Sequence, residues 1–263
     1  MKNSSKLLRL IFKIRILFKF SKFCSIETAN EIKNIIFYQK LFHKKRGLEI
    51  GGPSRFFRRV VLIYTKIKSL DGVNFSSSTI WEGDLTEGKH YKFLKRKKGY
   101  QFICDGVSLD RINSGTYDFV LSCNNLEHIA NPLKATEEWL RVVKPNGLIF
   151  LVLPNKNSNF DHNRDITSFE HIFEDYNNNT SEDDLTHLDE IFTLHDLSMD
   201  LTAGDFEHFK NRSKNNFQNR CLHQHVFDMN LLEQIFQHLN IELVLCKTTI
   251  TDFAILGRKC NSF

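Results

Sequence analysis

The chain has 263 residues, enough for one sizeable domain or one domain carrying an insertion. With 41% hydrophobic and 25% charged residues it has the composition of a globular protein, which excludes a disordered or fibrous chain. The net charge of +5 comes with abundant Lys, Asn and Ile and 24 phenylalanines, a bias that A/T-rich coding produces, so it makes no case for nucleic-acid binding.

The charge is unevenly spread. Residues 1–46 hold twelve Lys/Arg against two acids, whereas residues 156–215 hold fourteen acids against five Lys/Arg. The six cysteines form no C-x-x-C and no compact framework, which reads as reduced thiols in a cytoplasm.

In chain order, LLRLIFKIRILFKF (7–20) is interrupted by Arg9, Lys13, Arg15 and Lys19, so it neither spans a bilayer nor serves as a secretory core. Leu7, Leu10, Ile11, Ile14 and Phe18 share one helical face, opposite Lys2, Lys6, Arg9 and Lys13. This basic amphipathic helix either packs on its own domain or, through residues 1–22, lies on an anionic membrane surface. A second helix is expected over 27–44, from the spacing of Ile32, Ile35, Ile36 and Leu41.

A strand at 46–50 then breaks into GLEIGGPS. Glycines at such a turn permit positive φ and close backbone approach. The dinucleotide fingerprint G-x-G-x-x-G fails here, because Pro53 and Phe56 occupy its second and third glycine positions. Glu49 opposes a phosphate but suits a cation, which points to S-adenosylmethionine with its sulfonium and ammonium; an ordinary glycine turn is the competing reading.

VVLIYTKIKSL (60–70) fits a short helix, a strand or both, and Asp71-Gly72 follows. YQFICD (100–105) and YDFVLSC (117–123) are further apolar runs. Asn131-Pro132 opens an amphipathic helix over 131–143, stopped by KPNG. LIFLVLP (148–154) reads as a central strand with both faces covered. Residues 156–215 interrupt with a polar, histidine-rich insertion, helical around 168–176 and 185–198. HVFD, a helix over 229–239 and strands near 241–247 and 252–258 complete the alternation, the last two joined too tightly for a crossover helix.

The expected class is α/β: a Rossmann-like, mostly parallel sheet with an antiparallel last strand, helices on both faces and a polar insertion after the fifth strand. The expected organisation is 1–45 as basic amphipathic helices, 46–155 as the cofactor-binding core, 156–215 as an acidic lid and 216–263 as the return to the sheet.

LEIGG, acids at 71 and 105 closing strands, YDFVLSCNNLEHI and the helix followed by KPNGLIFLVLP together resemble a class I S-adenosylmethionine-dependent methyltransferase of the type-11 group, over about 46–154 and again at 224–259. NFSSSTIWEG, DHNRDITSFEHIFEDY, EDDLTHLDEIFTLHD and NRCLHQHVFD resemble a bacterial subset associated with surface-polysaccharide biosynthesis. The resemblance implies that Glu49, Gly51 and Gly52 meet the methionine end of the cofactor. It implies that Asp71 holds the ribose, that Asp105 with Gly106 and Val107 meets the adenine, and that Cys123 and Asn124 line the methionine. Pro53 departs from the family's third small residue. Cys123 also reads as a small core residue, and Asp71-Gly72 as a plain turn.

A sugar hydroxyl gains from a base that takes its proton as the methyl moves, and eight of the eleven histidines follow residue 156. His162 is the expected base, with His128 and His225 as alternates and Asp165 orienting it. No resident metal is assigned, although His162 with Asp165 is an alternative cation holder. His223 and His225 alternate and are expected to point to one side, without a third ligand fixed by spacing. The expected protein is a cytoplasmic enzyme, at most peripheral to the inner membrane face, that methylates an oxygen or nitrogen of a glycan-related or other small acceptor and binds no nucleic acid. A catalytically silent tethering module and a nicotinamide-dependent sugar enzyme are the alternatives. For the latter, Y-x-x-x-K occurs at Tyr64/Lys68 and Tyr91/Lys95, both too early in the chain.

Overall fold

The computed structural model describes residues 26–260. The chain divides between Leu41 and Phe42 into two compact units. Helix α1 (Ile26–Leu41) belongs to the first unit, and the basic helix expected at 7–20 lies outside the described residues. Among the described residues no helix is long and apolar enough to cross a membrane.

The second unit is built on an eight-stranded sheet of order β5-β6-β2-β1-β7-β8-β10-β9. Strands β1 (Arg46–Ile50), β2 (Ser69–Asn74), β6 (Lys97–Ile103), β7 (Tyr117–Cys123) and β8 (Val143–Pro154) run parallel. The sheet is completed by β9 (Ile241–Thr248) and β10 (Asp252–Lys259), with β10 antiparallel to both β8 and β9. Leu148 to Leu153 of β8 are all buried, as a strand covered on both faces requires. At the other edge, β5 (Gly88–Leu94) adds an antiparallel strand to β6. A small hairpin, β3 (Ser78–Thr79) and β4 (Gly83–Asp84), lies between β2 and β5 in the chain.

Helix α2 (Pro132–Val142) starts where Asn131 caps the Lys134 amide at 3.0 Å and Pro132 occupies its first turn. It buries Leu133, Trp139 and Leu140 in the main core, to which α7 (Met229–His238) adds Leu231, Leu232, Ile235 and Phe236. The ambiguous stretch after β1 forms no α-helix and becomes strand only at Ser69 and Leu70, where β2 begins. It holds a π-helical turn at Phe56–Val60 and a 3-10 turn at Ile63–Thr65. Aromatic packing organises it: the ring of Phe150 lies 5.2 Å from Phe57, 6.1 Å from Phe56 and 6.2 Å from Phe42.

The insertion carries α3 (Phe169–Asn178), which packs Phe169, Ile172 and Tyr176 on the main core, and α4 (Leu188–Leu194) and α5 (Phe206–Lys214), which share a small core of Ile191, Ala203, Phe209 and Leu222; the short α6 (Asn216–Asn219) follows. The helix expected to reach 198 stops at Leu194. Beyond it Asp196 accepts the Ser198 amide at 2.9 Å and starts a separate 3-10 turn, a local bond that competes with continued helix. HVFD joins no ladder. Val226 instead donates to the Thr167 hydroxyl at 3.0 Å and accepts the Thr167 amide at 2.9 Å.

The aromatic cluster yields a stability prediction. Phe150→Ala removes the ring that Phe42, Phe56 and Phe57 share, and should cost about 3–5 kcal/mol in chemical denaturation. A loss below about 1 kcal/mol would mean that the face collapses onto the space.

Candidate functional site

At the carboxyl ends of the parallel strands, where open α/β sheets bind ligands, lies a cavity of about 730 Å³. The strand ends contribute Gly51, Gly52, Asn74, Asp105, Gly106, Cys123 and Asn124. The insertion and the segment after it contribute Phe160, Asp200, Arg212, Arg220 and His223.

The turn after β1 uses positive φ at Gly51 (70°) and Gly52 (89°), and the Gly51 amide donates to Val73 O at 2.9 Å. A Cβ at Gly52 would lie 2.8 Å from Glu49 Oε1, so only glycine fits between that carboxylate and the cavity. Glu49 corrects the expectation made for it. It is wholly buried behind the turn, accepting from the Tyr64 and Tyr91 hydroxyls at 2.5 Å each and from the Ser54 amide at 3.1 Å. Burial pushes its pKa up against those donors, and it does not line the cavity. The same contacts absorb both tyrosines of the Y-x-x-x-K matches.

Asp71 is a second correction. The register sets it opposite Leu48, three residues before β2 ends, so it lies towards the amino ends of the strands. There it accepts from Arg46 Nη2 (3.0 Å), the Tyr100 amide (2.8 Å) and the Tyr117 hydroxyl (2.9 Å). The residue that ends β2 and lines the cavity is Asn74, with its Nδ2 3.5 Å from Gly52 O. The apolar run continuing past Asp71 through Val73 was the signal for it.

Asp105 does line the cavity, tied to the Val107 amide at 3.1 Å and to Arg220 Nη2 at 3.0 Å. Arg220 also pairs with Glu182 at 2.8 Å and lies 5.3 Å over the Phe75 ring. Gly106 O accepts the Trp139 indole N–H at 2.8 Å, while the Val107 side chain packs on the main core instead of the cavity. Cys123 and Asn124 line the cavity, and burial holds the Cys123 thiol well above its usual pKa. The adjacent Asn125 Oδ1 is buried without a hydrogen-bond partner, an acceptor open to a ligand.

The expected catalytic residues divide. His162 bonds Asp196 Oδ2 at 2.9 Å, Asp165 is exposed, and neither lines the cavity. His225 is buried outside the cavity, with Nε2 3.1 Å from Ala130 O. His128 does line it; its Nδ1 lies 2.9 Å from Leu222 O, and burial lowers its pKa to about 3, so it is neutral. Beside it, at 4.6 Å between ring centres, is His223. Lacking a strand ladder, His223 and His225 part: the first enters the cavity and the second meets His171 and His187.

His223 and Asp161 form the pair that the sequence did not single out. His223 Nδ1 lies 2.5 Å from Asp161 Oδ2, and Arg164 Nη1 holds Asp161 Oδ1 at 3.0 Å and His223 O at 2.8 Å. Burial raises the Asp161 pKa, but His223 and Arg164 outweigh it and bring it to about 2. Burial lowers that of His223, but Asp161 outweighs it, and the net shift is upward. Neighbouring Glu127 is pushed up to about 7 by burial, and neither of its oxygens meets a hydrogen-bond partner of normal geometry. A ligand atom from each of Glu127, His128 and His223 lies within 4.8 Å of the others.

Residues 68–151 match a methyltransferase domain. The fold is shared with a putative S-adenosylmethionine dependent methyltransferase from Listeria monocytogenes, at 12% identity over 90% of this chain and 99% of that one, with a TM-score of 0.50. Two further similar structures are S-adenosylmethionine dependent methyltransferases from Aquifex aeolicus (12% identity, 86% and 88% coverage, TM-score 0.47) and Methanosarcina mazei (15%, 86% and 98%, 0.47). No curated protein matches the sequence. S-adenosylmethionine is the cofactor that a methyltransferase domain of this fold takes. The glycine turn, Asn125 with its open acceptor and the Asp105-Gly106 edge line one cavity.

The corrected geometry predicts a reversal of roles. Asn74→Ala should weaken binding of S-adenosylhomocysteine about tenfold in calorimetry, one hydrogen-bonding group's worth. Asp71→Asn should leave that affinity unchanged and lower the melting temperature. The opposite pattern would return the ribose to Asp71.

Proposed function

We propose that this protein transfers a methyl group from S-adenosylmethionine to an oxygen or nitrogen of a glycan-related or other small acceptor. One observation carries the reading: a single cavity joins the Gly51-Gly52 turn and the strand ends of the matched region to His223, which Asp161 holds from behind.

The cofactor supplies an electrophilic methyl on a sulfonium, already a good leaving group. The protein's work is therefore to hold the acceptor in line at near-attack distance and to receive its proton. In this reading His223 Nδ1–H donates to Asp161, which fixes the tautomer and leaves Nε2 as the proton acceptor. Neutral His128 donates Nδ1–H to Leu222 O and presents Nε2 to the acceptor. Trp81, half exposed at the cavity and 5.1 Å from the His128 ring, offers an apolar platform for the face of a sugar ring. These features support the glycan-related acceptor suggested by the sequence resemblance.

The unpartnered Glu127 carboxylate favours a second reading of the acceptor's activation. With His128 and His223 it forms a two-histidine, one-carboxylate set, and the Asp161–His223 bond is the outer contact that metal-bound histidines make. A divalent cation there would lower the pKa of a coordinated hydroxyl.

Labelled methyl transfer onto fractionated cell-envelope precursors tests the proposal. His223→Ala should reduce turnover roughly 10²–10⁴-fold with cofactor affinity unchanged, and His162→Ala should retain near-normal turnover. Loss of activity on chelation that added Mg²⁺ or Mn²⁺ restores in wild type, and fails to restore in Glu127→Gln, selects the cation reading. Cofactor binding without transfer to any fraction would favour the silent module. Tight NADH binding with no S-adenosylmethionine binding would overturn the assignment.

A further inference from the structure

A second histidine cluster lies outside the cavity. His171 on α3, His187 at the start of α4 and His225 before α7 each place a ligand atom within 4.8 Å of the other two. The Nε2 atoms of His171 and His187 are 3.1 Å apart. His225 is 1% exposed; its Nε2 faces Ala130 O at 3.1 Å, while its Nδ1 is buried without a partner. Asp175, one turn after His171 on α3, has a buried Oδ2 with no hydrogen-bond partner of normal geometry, 3.4 Å from His171 Nε2.

We propose that His171, His187, His225 and Asp175 bind one structural zinc ion. Zinc bonds of about 2.0–2.1 Å in a tetrahedron set neighbouring donor atoms about 3.3 Å apart. The 3.1 Å between the two Nε2 atoms and the 3.4 Å to Asp175 Oδ2 match that spacing before any ion is added. Three imidazoles with a carboxylate are a donor set for zinc. The Ala130 carbonyl holds one nitrogen of His225 as an outer-layer partner does, leaving the other its lone pair.

Without an ion, one N–H···N bond joins His171 and His187, His225 Nδ1 is buried without a partner, and Asp175 Oδ2 has no hydrogen bond, only contacts of 3.4 Å to His171 and 3.7 Å to His225 Nε2. None of the four residues lines the cavity, which makes the site structural. Its effect is to fasten α3 and the start of α4 to the chain at His225, two residues from His223. The proposal does not depend on methyl transfer, since its readouts are metal content and thermal stability.

The experiment is zinc content by plasma mass spectrometry on full-length protein purified without chelator. It compares wild type, His171→Ala/His187→Ala and the cavity variant Glu127→Gln/His223→Ala. The expected result is one zinc per chain in wild type and in the cavity variant, and at least a tenfold lower content in the His171/His187 variant. Chelated wild type should melt earlier, recover with added Zn²⁺, and give a tetrahedral absorption band with Co²⁺. Those wild-type measurements stand if the double variant fails to fold. Wild type that holds no zinc and does not respond to it would overturn the proposal. So would zinc that leaves with the cavity variant and stays with the His171/His187 variant.

Discussion

Arg164 is 2% exposed, and its guanidinium is the contact on which the candidate acceptor end depends. It reaches Asp161 at 3.0 Å, Glu190 at 3.1 Å, His223 O at 2.8 Å and Gln224 O at 3.4 Å. A buried cation is stable only when paired and hydrogen-bonded on all sides, and removing one partner of such a pair costs about 3–5 kcal/mol. That requirement pulls three separated pieces of chain together: the segment after β8, helix α4 and the segment before α7. His223 is held by its own carbonyl and by Asp161, so the same charge that orders the insertion sets the imidazole against the cavity.

A different device shapes the candidate cofactor end. The sheet brings the ends of β1, β2, β6 and β7 side by side, and the Gly51-Gly52 turn lets the backbone pass close to the cavity. Behind that turn Glu49 is a brace, fixed by Tyr64 and Tyr91, and so joins β1 to the 3-10 turn and to the added edge strand β5. Arg220 links the two ends: it pairs with Asp105 at the edge of the sheet and with Glu182 in the insertion.

The mostly parallel α/β class, the α2 cap and the antiparallel closure were legible in the sequence because each rests on local patterning: apolar runs, Asn-Pro at a helix start, and a connection too short for a crossover. What escaped depends on register and long-range pairing. Asp71 reads as strand-ending until the β1–β2 register shows three more residues beyond it. β5 was hidden because Gly88–Leu94 alternates weakly and gains its burial from Tyr91 and Phe93 packing behind the sheet. In the site, His128 was visible from its place after β7. His223 and Asp161 lie 62 positions apart in the chain and meet only when Arg164 is buried. Nearness to the end of β8 favoured His162, but a half-exposed bond to Asp196 holds it elsewhere.

The central claim is that the strand ends and the insertion enclose one ligand site. Hydrogen–deuterium exchange on the full-length protein with and without S-adenosylhomocysteine tests it directly. The account predicts slower exchange on binding both at the strand ends (50–54, 74–75, 105–107) and at 159–164 and 220–224 in the cover. Protection confined to the strand ends, with the cover exchanging as in the free protein, would contradict it.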